Sequence, residues 1–308
     1  MKKSTFFLFI LFSFQTNLIL GQNPYIREGS IGRQKEQTDT LSRDALLFCP
    51  IESWIGERFI FLPQPKSLQR YGYQSFSSGK GKYGIAIRSS YRECVGRVGT
   101  IIEVNNGYSN RITIKMDDNG QIYTGEGSES IDGIAPLSDI DNARSKWLGK
   151  TLWYKRKDIA TYNDATEGFG NIILKKYSPV KVVDVIAGWY NHQPIRFILE
   201  VPSGEEGFID INLSGTNVPV ILRDNMRFED FFMSEDPRKI YRWPNSIWEA
   251  IEESKVFIGM TSDQAKLSWG EPQKINRTIT GSIRNEQWVY KSESYLYFEN
   301  DILTTIQN

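Results

Sequence analysis

The chain has 308 residues, 37 Lys and Arg against 37 Asp and Glu, and a single His. A balance of this kind carries no electrostatic footprint for nucleic acid or for anionic lipid. Any His-dependent triad or metal site would have to use His192. Fifteen Tyr, seventeen Phe and eight Trp, in short alternating runs broken by Gly turns, point to a mainly β architecture, and the length suits two or three domains.

In chain order, Lys2-Lys3, the apolar run Phe6 to Leu20 and then Gly21-Gln22 read as a secretory signal peptide over residues 1–21. The run is interrupted by Ser13, Gln15, Thr16 and Asn17. A spanning helix needs roughly twenty predominantly apolar residues, so no stable membrane insertion is expected after cleavage. Ile19-Leu20-Gly21 resembles the approach to a bacterial lipobox, but Gln22 stands where the acylated Cys would be, so no lipid anchor is expected. The implied address is the periplasm or exterior of a bacterium. Residues 22–45 are polar and aperiodic and read as a flexible arm. Within it, Asp39-Thr40-Leu41 resembles a short glycosylation site of bacterial envelope proteins.

Residues 46–140 and 145–222 form an internal repeat. Trp54-Ile-Gly56 matches Trp147-Leu-Gly149; Gly96 to Val104 matches Val180 to Ile186; Arg111 to Met116 matches Arg196 to Val201. An Asn119-Gly120 turn in the first unit corresponds to Ser203-Gly204 in the second, and Asn-Gly is a strong hairpin signal. Each unit reads as a strand opened by Trp-hydrophobic-Gly, a long polar excursion, and three strands joined by tight turns. That order resembles a small SH3-like β-barrel, and such domains in bacterial envelopes often bind peptidoglycan peptides. The alternative is a pair of generic β-meanders sharing turn chemistry. Aromatics in the excursions are candidate contacts for a peptide or glycan: Tyr71, Tyr73 and Phe76 in the first, Tyr154, Tyr162 and Phe169 in the second. Exposed rings bury large area at little entropic cost; the competing reading is that they fill the barrel end as core.

Residues 223–246 carry Phe228, Phe231, Phe232, Met233, Tyr241 and Trp243 among charges, too apolar for a free linker, and read as a packed connector. Ile247 to Glu253 is a short amphipathic helix capped by Asn245 or Ser246. Thr261 and Gln264 form a capping box for a helix over Ser262 to Trp269, stopped by Gly270 and Pro272. Strands are expected at Gln273 to Ile279, Glu286 to Tyr290, Tyr295 to Glu299 and Ile302 to Ile306. The order Gly259-Met260-Thr261, Trp269-Gly-Glu-Pro272, Trp288-Val-Tyr290 and Tyr297-Phe-Glu-Asn300 resembles the SmpA/OmlA domain, the fold of the BamE lipoproteins of outer-membrane assembly, over residues 247–308. The resemblance implies a binding or assembly module without catalytic residues. Tyr295 and Tyr297 are its candidate contact residues, on an edge at Tyr295 to Glu299 that would accept a partner strand.

Catalytic and cofactor motifs are not evident. Gly79-Lys80-Gly81 lacks the spacing of a phosphate loop, Arg92 to Val95 reads as strand with no helix start to activate Cys94, and Glu205-Glu206 and Glu252-Glu253 read as solvated charge. In an oxidising compartment Cys49 and Cys94 form either a disulfide or two buried free thiols. The function expected is that of a non-enzymatic envelope binding or assembly protein, whose partner is an envelope protein. The alternatives are a peptidoglycan-binding module and a hydrolase with an unrecognised carboxylate site. The fold expected is two SH3-like barrels followed by a BamE-like α+β domain.

Overall fold

The computed structural model describes residues 49–80, 86–223 and 226–307. The expected leader, the whole of the expected arm and the Asp39-Thr40-Leu41 motif lie outside the described residues. The chain is mainly β, with three antiparallel sheets in succession.

The first sheet contains β1 (Arg58–Phe61), β2 (Tyr73–Lys80), β3 (Ala86–Ser89), β4 (Val98–Asn106), β5 (Asn110–Met116), β6 (Ile122–Gly127) and β7 (Ile134–Pro136). Short helices α1 (Lys66–Gln69) and α2 (Tyr91–Cys94) flank its first hairpin, and α3 (Leu137–Trp147) leads out of it. The second sheet contains β8 (Thr151–Tyr154), β9 (Asp158–Asn163), β10 (Gly168–Ile173), β11 (Ser178–Tyr190), β12 (Gln193–Glu200), β13 (Glu206–Ile211) and, after α4 (Phe228–Phe231), β14 (Phe232–Met233). The strand orders are β3-β2-β6-β5-β4-β1-β7 and β10-β9-β13-β12-β11-β8-β14, the same topology twice.

The shared motif has a shared geometry. Gly56 N–H donates to Ile101 O and Ile101 N–H to Glu57 O; Gly149 N–H donates to Val182 O and Val182 N–H to Lys150 O. Both glycines have positive φ, +87° and +76°, where a Cβ is disfavoured. Trp54 and Trp147 before them are each 3% exposed and sit in separate cores. The hydrophobic residue between Trp and Gly points out in both copies, Ile55 and Leu148.

The polar excursions differ from the sequence reading, because each contains a hairpin, β2–β3 and β9–β10. Both sheets are open. The first curls so that Phe61 on β1 meets Tyr73 and Phe76 on β2, with ring centroids 5.0 and 4.9 Å apart. Arg92 to Cys94 is helical rather than extended, with Ser90 accepting from Glu93 N–H at the cap.

The third sheet is a meander of β15 (Lys274–Thr280), β16 (Ile283–Val289), β17 (Tyr295–Glu299) and β18 (Ile302–Gln307). Before it come α5 (Pro237–Ile240), α6 (Asn245–Glu252) and α7 (Ser262–Trp269). In α7 both arms of the Thr261–Gln264 box form, and Gly270 ends the helix at φ +86°. Helix α6 starts at Asn245 after Pro244 and has no side-chain cap. Met260 and Ala265 pack on Trp288, Leu296, Phe298 and Leu303, so one face of this sheet is core and the other open. The edge assignment requires correction. β17 pairs with β16 and β18 on both sides, and the end strands are β15 and β18. In an up-and-down meander only the first and last strands can be edges.

Polar bolts join these parts. Asn217, 3% exposed, accepts from Ile131 N–H at 2.7 Å and donates from Nδ2 to Ile131 O and Ile134 O, both at 2.8 Å. The Lys176 ammonium donates to the last carbonyls of α7, Leu267 O and Ser268 O, and Tyr177 Oη donates to Leu267 O at 3.0 Å. Cations suit a helix C-terminus. The connector packs as well: Phe228, Phe231 and Phe232 join the second core, while Met233, Tyr241 and Trp243 pack on Tyr177, Trp248 and Ile251.

Candidate functional site

The outer face of the second sheet carries a built aromatic surface. On β12, Ile195, Phe197 and Leu199 enter the core, so Arg196 points the other way; on β13, Ile209 and Ile211 enter it, so Phe208 and Asp210 point out. Arg196 and Asp210 are direct cross-strand partners. Their ion pair is bidentate, Nε to Oδ1 and Nη2 to Oδ2, both 2.7 Å. The guanidinium lies 4.2 Å from the Trp189 ring centroid and 3.8 Å from that of Phe208. Trp189 in turn stands edge-on to Tyr162 at 4.9 Å and to Phe169 at 5.7 Å, and Tyr162 meets its cross-strand partner Phe169 at 5.1 Å.

The repeat supplies an internal comparison. On the first sheet, Arg111 and Glu126 are also direct partners across β5 and β6 and also form an ion pair. Those side chains are 58% and 50% exposed, against 8% and 11% for Arg196 and Asp210. Counting along β6 from Glu126, the place of Phe208 is taken by Thr124. The same pair is therefore wet in one copy and roofed by rings in the other. Burial raises the Asp210 pKa while Arg196 pulls it back down, so the pair fixes the rings at an electrostatic cost. Phe169 remains 67% exposed and Ile173, farther along the same strand, 72%.

Around this surface lie further groups. His192 stacks on Tyr190 at 5.3 Å. Burial lowers its pKa, against the opposing pull of Asp132 and Asp210. Lys66 on α1 reaches Glu167 in the β9–β10 turn at 3.7 Å. Near α1 a groove of about 240 Å³ is lined by Gln64, Leu68, Tyr71, Gln74 and Asp132. Gln64 Oε1 is buried there with no hydrogen-bond partner, while Arg70 stacks on the half-exposed Tyr71 ring at 4.6 Å.

The expected contact residues thus divide. Tyr162 and Phe169 belong to the surface, and Tyr71 lines the groove. Tyr73, Phe76 and Tyr154 are at most 1% exposed and sit in the two cores, as the competing reading had it, although Tyr73 also stands in the wall of the groove. Tyr73 Oη donates to Leu62 O and Tyr154 Oη to Asp158 O, both at 2.6 Å, which satisfies the hydroxyls inside. Tyr297 lies on the open face of the third sheet in a hydrogen-bonded chain: Asn276 to Gln287 Oε1, Gln287 Nε2 to Tyr297 Oη, and Tyr297 to Gln307 Oε1. Tyr295 is half-buried beside it, on an inner strand. Trp189, Arg196, Phe208 and Asp210 were not singled out by sequence, because only strand register brings them together.

Cys49 and Cys94 are not bridged. The Cys49 thiol is 3.2 Å from Ser53 Oγ, whereas Cys94 is enclosed in the first core, where burial pushes its pKa up. Under non-reducing conditions we expect an intact-mass measurement to find both thiols unoxidised. A thiol reagent should modify Cys49 in the native chain and Cys94 only after denaturation. His192 lies on the β11–β12 turn of the other sheet, and Cys94 is not paired with it. Among the described residues no group of three or more His, Cys, Asp or Glu is placed to hold a metal ion, and no helix is long and apolar enough to cross a membrane.

A second polar site lies at the seam of the two repeats. Asp139 on α3 is 3% exposed, and Ser214 donates to its Oδ2 from Oγ at 2.8 Å and from N–H at 3.3 Å. It lines a cavity of about 90 Å³ with Cys49, Trp54, Glu57, Asn142 and Thr216. Burial pushes the Asp139 pKa up to about 6. No protein family, curated protein or solved structure matches the chain.

Proposed function

We propose that the chain is an exported, non-enzymatic binding protein of the bacterial cell envelope. Its ligand surface in this reading is the Tyr162–Phe169–Trp189 patch, and its ligand is a segment of a partner envelope protein. The observation that carries this reading is the contrast between the two copies of the repeat. The same Arg–acid pair is open to water in the first and covered by Trp189 and Phe208 in the second. A fixed cluster of rings that stays half open to solvent is what a hot-spot anchor needs. The leader supports export. The common strand order supports reading the two units as a repeat, whose SH3-like character rests on the sequence resemblance, and the α7–meander arrangement supports the SmpA/OmlA likeness of the C-terminal domain.

The groove favours a second reading, a peptidoglycan stem peptide. Gln64 Oε1 and Asp132 offer acceptors to amide and amine donors beside Tyr71. One experiment separates the two. A photo-crosslinker placed at Phe169 in the native host should capture one or two discrete envelope proteins, and Trp189→Ala should abolish the capture. Retention on purified sacculi that is lost in Tyr71→Ala, with no protein captured, would move the assignment to the groove. Neither capture nor retention would overturn both.

A further inference from the structure

The third sheet has one uncovered edge. On the β18 side the preceding chain closes the strand: Gly259 N–H donates to Leu303 O and Leu303 N–H to Met260 O, both 2.8 Å, and Thr261 bridges Ile302. On the other side, β15 has β16 as its only neighbour among the described residues. All seven of its residues are exposed, its pairing with β16 runs without a bulge, and it contains no Pro. Natural edge strands are usually interrupted by one of these devices or by charge.

Charge is present on β15 at Lys274, at the strand's end, and at Arg277, and that of Arg277 is already paired. Arg277 Nε lies 2.7 Å from Glu286 Oε1, and Glu286 is one of the buried polar residues of the chain. A partner strand therefore need not bring an acid to face it. What the edge does present is a symmetric order about Arg277. Ile275 and Ile279 stand two places to either side, Asn276 and Thr278 one place, Lys274 and Thr280 three. Ile275, Arg277 and Ile279 share the face that bears Trp288 and Glu286, since they are the register partners of Trp288, Glu286 and Arg284. Ile275 and Ile279 are 38% and 66% exposed.

A two-fold interface requires that residue i meet j and j meet i. An antiparallel pair of β15 strands centred on Arg277 meets that condition along its whole length. Each Ile275 faces Ile279 of the second copy, and each Asn276 faces Thr278. Arg277 faces its own counterpart, with a Glu286 behind each, so the central row alternates acid, base, base, acid. We propose that β15 pairs with β15 of a second copy of this chain. The two meanders then make one continuous eight-stranded sheet with both sets of helices on the same side. One strand per copy buries less than the roughly 1,000 Å² of a strong interface, so the dimer is a weak one.

The test is sedimentation of the purified chain over a concentration series, combined with disulfide trapping in a Cys49→Ser background. Residues directly opposite in an antiparallel pair have Cα atoms about 4.5–5.5 Å apart, inside the disulfide range of about 4.4–6.8 Å. Arg277→Cys should therefore cross-link to itself at least tenfold faster than Asn276→Cys, whose counterpart is on the diagonal about 7–8 Å away. The wild-type chain should self-associate at high concentration and Ile279→Lys should stay monomeric. A chain that remains monomeric throughout, a dimer that survives Ile279→Lys, or equal trapping by the two cysteines would overturn the proposal. If Arg277→Cys fails to fold, Ile279→Lys in sedimentation decides it alone.

Discussion

Asn217→Ala is expected to lower the unfolding free energy by about 4 kcal/mol, measured by urea denaturation. The change strands the buried Ile131 N–H and removes the donors to two carbonyls more than eighty residues away in sequence. Each lost bond costs about 1 kcal/mol, and an unsatisfied buried group about 1–3. Asn217 also sits at φ +59°, where Ala carries a further penalty of about 1–2 kcal/mol. Asn217→Gly relieves that last contribution and should be milder by about that amount. Asn217→Asp keeps the acceptor for Ile131 but turns a carboxylate toward two carbonyl oxygens. It should be at least as damaging as Ala at neutral pH. Equal stability of the Ala variant and the wild type would mean that the two repeats are not held by this residue.

Asp139→Asn should stabilise the chain at pH 7.5 by up to about 3 kcal/mol and leave it unchanged near pH 3. The folded-state pKa of Asp139 is raised by burial to about 6, from an ordinary value of 3.8. The native state therefore holds the proton more tightly than the unfolded state. Stability is highest while the carboxyl is protonated in both states. It falls as pH rises through about 4 to 6 and is flat above that window. The difference of about two pKa units corresponds to about 3 kcal/mol. The Asn amide oxygen can still accept from Ser214 N–H and Oγ–H, so the variant removes the buried charge without removing its partners. The difference in stability between wild type and variant, followed from pH 3 to 8, isolates this group from Glu57, which lines the same cavity. A difference that does not change with pH would refute it.

The C-terminal helix and meander were legible because independent local signals coincide. A capping box, a left-handed Gly and turn dipeptides each constrain the same boundaries, and α7 spans Ser262–Trp269 as read. The repeat was legible from Trp54 and Trp147 with their glycines, since a positive φ beside a buried indole is a local demand. The hairpins inside the excursions were hidden. β2 pairs irregularly with β3 and its Ser, Gly and Lys residues lack clean alternation. For Tyr73 and Phe76 the contact and core readings both stood open in the sequence, because the curl that carries β2 over β1 is a property of the whole sheet. The edge was misplaced for a similar reason: strand spans are local, while neighbours are not. Arg196 and Asp210 are fourteen residues apart, and nothing short of register joins them.

The duplicated ion pair has one more use. Because Arg111–Glu126 and Arg196–Asp210 occupy equivalent places in sheets of identical topology, the molecule carries its own reference state. Any probe of the second sheet's face, whether a titrated carboxylate or a bound ligand, can be read against the unroofed twin in the same sample. Temperature, salt and concentration then cancel, and what remains is the effect of the aromatic covering together with that of Asp in place of Glu.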